Sequence, residues 1–262
     1  MRELLSLAIE ASLLAGKSIL AVYSADFSVE TKADQSPLTE ADRKSHQVIR
    51  DYLSKTELPF LSEEGKAIEY DQRKNWETFW LVDPLDGTKE FIKKNGEFTV
   101  NIALIREGIP IAGVVFVPVT GVLYFGSREE GSFRYLVERE TTIAEILANA
   151  SRLPGKQQPS VYTIVASRSH SSAETESFIL DRKKKYGEIT LISAGSSLKL
   201  CLVAEGKASV YPRLAPTMEW DTAAGHAVAR YAGCRVYNYL TNEALRYNKP
   251  DLLNPWFVVE RG

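Results

Sequence analysis

Four strand-forming apolar residues, Phe79-Trp80-Leu81-Val82, lead without a break into Asp83-Pro84-Leu85-Asp86-Gly87-Thr88. Bulky aromatic and β-branched residues fit a buried pleated strand, whereas Asp-Pro and Asp-Gly belong to turns. Pro84 has no N–H to give to a ladder and holds Asp83 extended, so the stretch predicts a strand that stops at Asp83. Asp83 and Asp86 are then presented by the turn. Gly87 lets the backbone bend, and Thr88 to Ile92 reads as a short helix whose first N–H groups suit a phosphate. Two carboxylates beside such a turn suit Mg²⁺, which prefers oxygen donors and shares them with substrate phosphate. Read alone, Asp-Pro and Asp-Gly make ordinary turns just as well, so the pair needs support from elsewhere in the chain.

Upstream, apolar residues at Leu4, Leu5, Ala8, Ile9, Leu13, Ile19 and Leu20 recur with helical spacing, giving an amphipathic helix from Leu4 to Val22. Glu3, Glu10 and Lys17 interrupt the apolar residues, so neither a signal peptide nor a membrane span is expected. Ser28 to Lys32 reads as a weak strand. Thr39 is a helix N-cap, followed by a helix to about Leu53 with Asp42 in its first turn, where an acid also serves the helix dipole. Pro59 to Gly65 is a second short strand ending in carboxylates, Glu63-Glu64, and Lys66 to Asn75 reads as a loop. Beyond the central stretch, four β-rich segments between Glu97 and Tyr135 form an antiparallel meander. Thr141 to Ala150 forms a short helix, and Pro154 to Pro159 a linker.

From Val161 onward strands and helices alternate, which argues an α/β half with parallel pairing. Helices are expected at Ala173 to Tyr186, Ser196 to Ala204 and Met218 to Tyr231. The division this suggests is an α+β half over residues 1–150 and an α/β half over 151–262.

With 262 residues, 44% of them hydrophobic, the chain has ample material for a core, as one large domain or two halves. A net charge of −2 from 32 basic and 34 acidic residues gives no bulk attraction to nucleic acid or an anionic membrane, so an anionic ligand must be met locally. Cys201 and Cys234 fit a reducing, cytoplasmic setting as buried thiols, with a disulfide as the alternative.

The acids gather at element ends: Glu63 and Glu64, Asp83 and Asp86, and Asp221 in Trp220-Asp221-Thr222-Ala223-Ala224-Gly225. Such an oxygen-only set suits two or three Mg²⁺ ions better than zinc. Together with Ser62-Glu63-Glu64 and Trp80 to Thr88, these motifs resemble those of the inositol monophosphatase superfamily of Mg²⁺-dependent, lithium-sensitive phosphatases. Asp86 to Phe91, Gly195-Ser196-Ser197-Leu198-Lys199 and Leu202 to Gly206 further resemble its 3′(2′),5′-bisphosphate nucleotidase branch. That branch removes the 3′-phosphate of adenosine 3′,5′-bisphosphate, a by-product of sulfate assimilation.

The resemblance implies a layered αβαβα sandwich with the site between an α+β and an α/β half. It implies Glu63, Asp83, the Leu85 carbonyl, Asp86 and Asp221 as metal ligands. Thr88 hydrogen-bonded to Asp42 is implied as the pair that takes the proton of the attacking water, with Glu63 holding a further ion. Gly87 and Thr88 N–H groups are to receive phosphate oxygens. His170, Ser196, Lys199, Arg213 and Asp221 are implied as substrate contacts, with Ser196 and Lys199 one helical turn apart and facing one ligand. His46 and His226 are read as structural, and Tyr211, Trp220 and Cys201 as packing residues. The alternatives are an inositol or sugar phosphatase and a non-catalytic nucleotide sensor. The protein is expected as a monomer or homodimer acting on a small molecule.

Overall fold

The helical spacing near the N-terminus becomes α1 (Arg2–Tyr23), with Leu5, Ala8, Ile9, Ala15 and Ile19 buried along one face. A computed structural model describes residues 1–25, 27–31, 37–138, 141–156, 159–167 and 172–262. A two-stranded ribbon, β1 (Val29–Thr31) and β2 (Pro37–Thr39), leads into α2 (Glu40–Leu53), whose N-cap is Thr39. Then follow β3 (Phe60–Ser62), α3 (Tyr70–Arg73), β4 (Thr78–Asp86), α4 (Thr88–Ile92), β5 (Thr99–Arg106) and β6 (Ile109–Val117). β7 (Val122–Ser127), β8 (Gly131–Leu136), α5 (Ile143–Asn149) and β9 (Ser151–Arg152) complete the first sheet and its short closing helix. The second sheet and its helices comprise β10 (Tyr162–Ser167), α6 (Ala173–Tyr186), β11 (Ile189–Ala194), α7 (Leu198–Glu205) and β12 (Val210–Arg213), then α8 (Glu219–Tyr231), β13 (Cys234–Asn238) and β14 (Phe257–Arg261).

The first sheet has the order β3-β4-β5-β6-β7-β8-β9; β3 and β4 are parallel and the rest form the expected antiparallel meander. The second has the order β11-β10-β12-β14-β13, with β10 parallel to β11 and β12. The first sheet is covered on both sides, which explains why β4 lacks polar alternation. Trp80 and Val82 pack with α1 and α2, while Phe79 and Leu81 pack with α7, α8 and the second sheet. α6 closes the far side through Phe178 against Ile164 and Val210. The layers therefore run αβαβα, as the resemblance implies. α1 is long and apolar enough to cross a membrane, but half of its most apolar stretch is buried inside the fold, so its composition is that of a core helix.

Three local expectations fail for physical reasons. The charged stretch from Lys66 to Asn75 contains α3, because Glu69 and Gln72 form a capping box and Arg73 is buried. β4 does not stop at Asp83; it runs on to Asp86. α7 begins at Leu198 rather than Ser196, because Ser196 has φ +45 and breaks the helix. Cys201 and Cys234 are buried thiols without a disulfide.

The middle layer is held very close to the sheet. A Cβ on Gly113 of β6 would lie 2.4 Å from the Ala224 carbonyl oxygen of α8, so glycine here sets the helix-to-sheet distance. Ser132 Oγ donates to the Val228 carbonyl (2.7 Å) and Tyr231 OH to the Pro110 carbonyl (3.0 Å), fixing the later turns of α8 to the same sheet.

Candidate active site and metal centre

Parallel pairing of Ser62 with Val82, and a Glu63 N–H bond to the Val82 carbonyl (3.1 Å), place Glu63 beside Asp83. Pairing of β4 with β5 slips between Asp83↔Asn101 and Asp86↔Thr99, a bulge that takes up one extra residue. Pro84 sits inside the bulge, where no ladder N–H is needed. Its carbonyl accepts from Ser45 Oγ of α2 (2.6 Å), and Asp83 Oδ1 accepts from Leu85 N–H (3.0 Å). The strand thus continues through Asp-Pro and turns both carboxylates out of the sheet.

Carboxylate oxygens of Glu63, Asp83 and Asp221 lie within 4.8 Å of one another. Asp221 arrives as the third residue of α8, its Oδ2 accepting from Met218 N–H (2.8 Å). Asp86 and Glu64 stand outside this cluster. Asp86 Oδ2 accepts from Ser197 N–H (2.5 Å) and from Asn101 Nδ2 (3.4 Å), linking the bulge to the turn before α7.

Burial, then the charges of Glu63, Asp86 and Asp221, push the Asp83 carboxyl well above the usual carboxylate range. Burial and Asp86 do the same to Asp221. Asp86 is raised to about 6 by burial, although Lys199 and the Ser197 N–H pull the other way. Carboxylates forced together at such cost fit a hard dication, which reverses the repulsion, and no histidine or cysteine belongs to the cluster. The donor set therefore fits Mg²⁺.

Thr88 Oγ1 donates to Asp42 Oδ1 at 3.2 Å. The other oxygen of Asp42 accepts from Thr39 N–H (2.8 Å) and Thr39 Oγ1 (2.5 Å), so Asp42 is at once the capping-box acid of α2 and the partner of Thr88. Gly87 has φ +95 and precedes α4, a conformation that glycine takes without strain.

A cavity of ≈ 120 Å³ adjoins the cluster, lined among others by Asp86, Gly87, Asp221, Ser196, Lys199 and Arg213. Tyr211, expected only to pack, also lines it. Lys199 is buried, and its Nζ donates to the carbonyls of Ser196 (2.6 Å) and Ala194 (3.3 Å). It braces the turn that carries Ser196 instead of standing beside Ser196 on a helix face, which corrects the one-turn expectation. Burial lowers its ammonium to about 8 even with Asp86 nearby. Ser196 Oγ and Arg213 Nε are buried without a hydrogen-bond partner, a cost of about 1–3 kcal/mol each. His170 lies outside the described residues.

His46 Nδ1 bonds with Ser62 Oγ (2.9 Å) and His226 Nδ1 with Tyr247 OH (2.9 Å), both as packing partners. Sequence reasoning misses the residues that hold the 195–197 turn. Glu97 accepts from Gly195 N–H (2.8 Å), and the buried Ser197 Oγ bonds with Thr99 Oγ1 (2.9 Å) and donates to Asn101 Oδ1 (2.7 Å). The only signal was a polar Asn101 inside the apolar run of β5.

Comparison with known proteins agrees with this architecture. The chain is 45% identical to the 3′(2′),5′-bisphosphate nucleotidase CysQ of Shigella flexneri and 46% identical to that of Escherichia coli strain K12, with 94% of each chain covered. A crystal structure of CysQ from Bacteroides thetaiotaomicron superposes with a TM-score of 0.89 at 53% identity, covering 97% of this chain and 96% of that one. SuhB from Bartonella henselae, at 23% identity and a TM-score of 0.74 over 99% of this chain and 94% of its own, shares the fold. The profile of the inositol monophosphatase family matches residues 1–259, and the chain belongs to that family.

Proposed function

We propose that the chain is a Mg²⁺-dependent 3′(2′),5′-bisphosphate nucleotidase that hydrolyses adenosine 3′,5′-bisphosphate to AMP and phosphate. The observation that carries the reading is one cavity lined both by the carboxylates of Asp86 and Asp221 and by Lys199 and Arg213. The reacting phosphate belongs at the first and the 5′-phosphate at the second. Relatives at 45% and 46% identity that bear this activity in their names support it. At ≈ 120 Å³ the cavity is below the roughly 300–1,000 Å³ usual for drug-sized ligands, so the nucleoside extends from its mouth.

In this reading Glu63, Asp83, the Leu85 carbonyl, Asp86 and Asp221 hold two or three ions. Bound there, such ions would supply Lewis acidity to a water, the phosphate and the leaving ribose oxygen. The chain does the rest. Thr88 Oγ1 takes a proton from the attacking water while passing its own to Asp42 Oδ1, since a threonine hydroxyl alone is too weak a base. N–H groups of Gly87 and Thr88 receive phosphate oxygens. Arg213 contacts the second phosphate, Lys199 adds its charge from behind the 195–197 turn, and Ser196 and His170 approach the nucleotide. The two unpaired thiols support a cytoplasmic setting.

The test is phosphate release from adenosine 3′,5′-bisphosphate, 3′-AMP, inositol 1-phosphate and fructose 1,6-bisphosphate at fixed Mg²⁺. Preference for the first over 3′-AMP by about 100-fold in kcat/KM is expected, equivalent to about 2.7 kcal/mol. Lys199→Ala with Arg213→Ala should erase most of that preference. A flat profile, or equal losses on bisphosphate and monophosphate, would remove the second phosphate subsite.

A further inference from the structure

Arg73 lies in the stretch that reads as a loop, yet it is 2% exposed and its guanidinium reaches across the two halves of the fold. Nε donates to the Ile68 carbonyl (3.3 Å), within the arm that leaves Glu63. Nη1 donates to Asn248 Oδ1 (2.8 Å) and the Lys249 carbonyl (2.7 Å), and Nη2 to the Pro250 carbonyl (3.0 Å). Asn248 Nδ2 donates back to the Arg73 carbonyl (2.8 Å). All of these acceptors are uncharged.

The loop that Arg73 grips wraps the first turn of α8. Glu219, fully buried, accepts from the N–H groups of Asn248 (2.6 Å) and Lys249 (3.0 Å) and pairs with Lys249 Nζ. Glu219 N–H donates to the Leu252 carbonyl (2.9 Å). Asn254 Nδ2 donates to the Met218 carbonyl (2.7 Å) and to Thr222 Oγ1 (3.0 Å). Asp221 sits inside this frame.

Glu63 and Asp83 belong to the first half and Asp221 to the second, and their oxygens gather within 4.8 Å against mutual repulsion. Something other than their own attraction must hold α8 in place. A guanidinium forked onto three rigid acceptors fixes direction as well as distance, which an ammonium on a flexible stem does not.

We propose that Arg73 is a positioning residue for the metal centre: by latching the 248–250 segment it holds Asp221 at the separation from Glu63 and Asp83 that a divalent ion needs. The inference rests on the ligand set proposed above.

The experiment measures Mg²⁺ binding to the folded, metal-free protein by titration calorimetry, alongside kcat at saturating Mg²⁺. Arg73→Met should weaken Mg²⁺ binding by about 10-fold or more, as loss of a ligand-supporting partner usually does, with kcat at saturation largely retained. Asn248→Gly removes the two side-chain bonds to Arg73, tolerates the backbone at φ +65 and should act in the same direction, with the double variant no worse than the more affected single one. Ile146→Ala, a core change packed with the α1 side of the sheet, should lower the metal-free Tm yet leave Mg²⁺ affinity alone. Unchanged Mg²⁺ affinity in both Arg73→Met and Asn248→Gly overturns the proposal, as does equal weakening by Ile146→Ala. Absence of binding in the unaltered protein, or no loss in Asp221→Asn, overturns the ligand set and the latch with it.

Discussion

Gly113→Ala is the sharpest single test of how the fold positions its site. The new methyl would meet the Ala224 carbonyl oxygen at 2.4 Å, Ala227 Cβ at 2.8 Å and Ala224 Cα at 3.0 Å. Two of these are backbone atoms, so no side chain can swing away. β6 is hydrogen-bonded to β5 and β7 on both sides, which leaves α8 to yield. An ordinary contact near 3.4 Å then requires the helix to move by about 1 Å. The 248–254 segment holds its first turn as Ser132 and Tyr231 hold its later ones, so the helix shifts as a body and carries Asp221, one turn before Ala224, with it. Overpacking of this kind costs about 1–3 kcal/mol, which urea unfolding of the metal-free protein would register. Misplacing a catalytic group by about 1 Å can cost on the order of 100-fold in rate, so kcat/KM at a temperature where the variant is fully folded should fall by roughly that much. Gly225→Ala is the comparison. Its methyl would meet Leu200 Cβ at 2.9 Å, with Leu200 Cδ2 and Cγ at 3.2 and 3.3 Å, an overlap about half as deep as that of Gly113→Ala, so the loss should be smaller. A Gly113→Ala protein with unchanged stability and unchanged kcat/KM would refute the argument that this contact sets the position of Asp221.

Two further outcomes follow from the site and its surroundings. Thr88→Val should lower kcat by about 10²–10⁴-fold, the usual contribution of a positioned proton acceptor, while Mg²⁺ binding stays intact; retention of kcat within tenfold would exclude the Thr88–Asp42 pair as the acceptor. His226 is pushed down to about 3 by burial, with Arg230 adding to the effect, from an ordinary value near 6.5. Its folded state therefore binds fewer protons than its unfolded state, so its contribution is complete above pH 6.5 and is lost as the pH falls toward 3. At pH 5 the loss is about 2 kcal/mol, and His226→Gln should remove it. Parallel stability curves for the two proteins between pH 7 and 5 would contradict this.

Much of this was legible in residue order because local chemistry decided it. Thr39 reads as an N-cap with Asp42 in the first turn of its helix, and the meander follows from β-rich segments separated by Glu-Gly and Arg-Glu-Glu turns. What escaped was decided by contacts between distant segments. Pro84 stops a strand by its own chemistry, yet here a bulge and the Ser45 hydroxyl carry β4 past it. Ser196 looks helical until its left-handed backbone, braced by Lys199, is seen. Arg73 falls in a stretch that reads as a loop because the partners that bury it lie about 175 residues away. Asp42 shows that two readings of one acid need not compete, since each of its oxygens has a separate task.

The bond from Ser197 N–H to Asp86 has a thermodynamic consequence. If Asp86 is a metal ligand, one carboxylate serves both the ions and the turn that frames the nucleotide, and occupancy of the two cannot be independent. Linkage is reciprocal: whatever factor Mg²⁺ adds to the affinity for the bisphosphate, the bisphosphate adds to the affinity for Mg²⁺. At a coupling of about 1–3 kcal/mol, typical of such pairs, arrival of the nucleotide would itself help to fill the metal centre, so free Mg²⁺ and substrate would act as joint inputs to one catalyst.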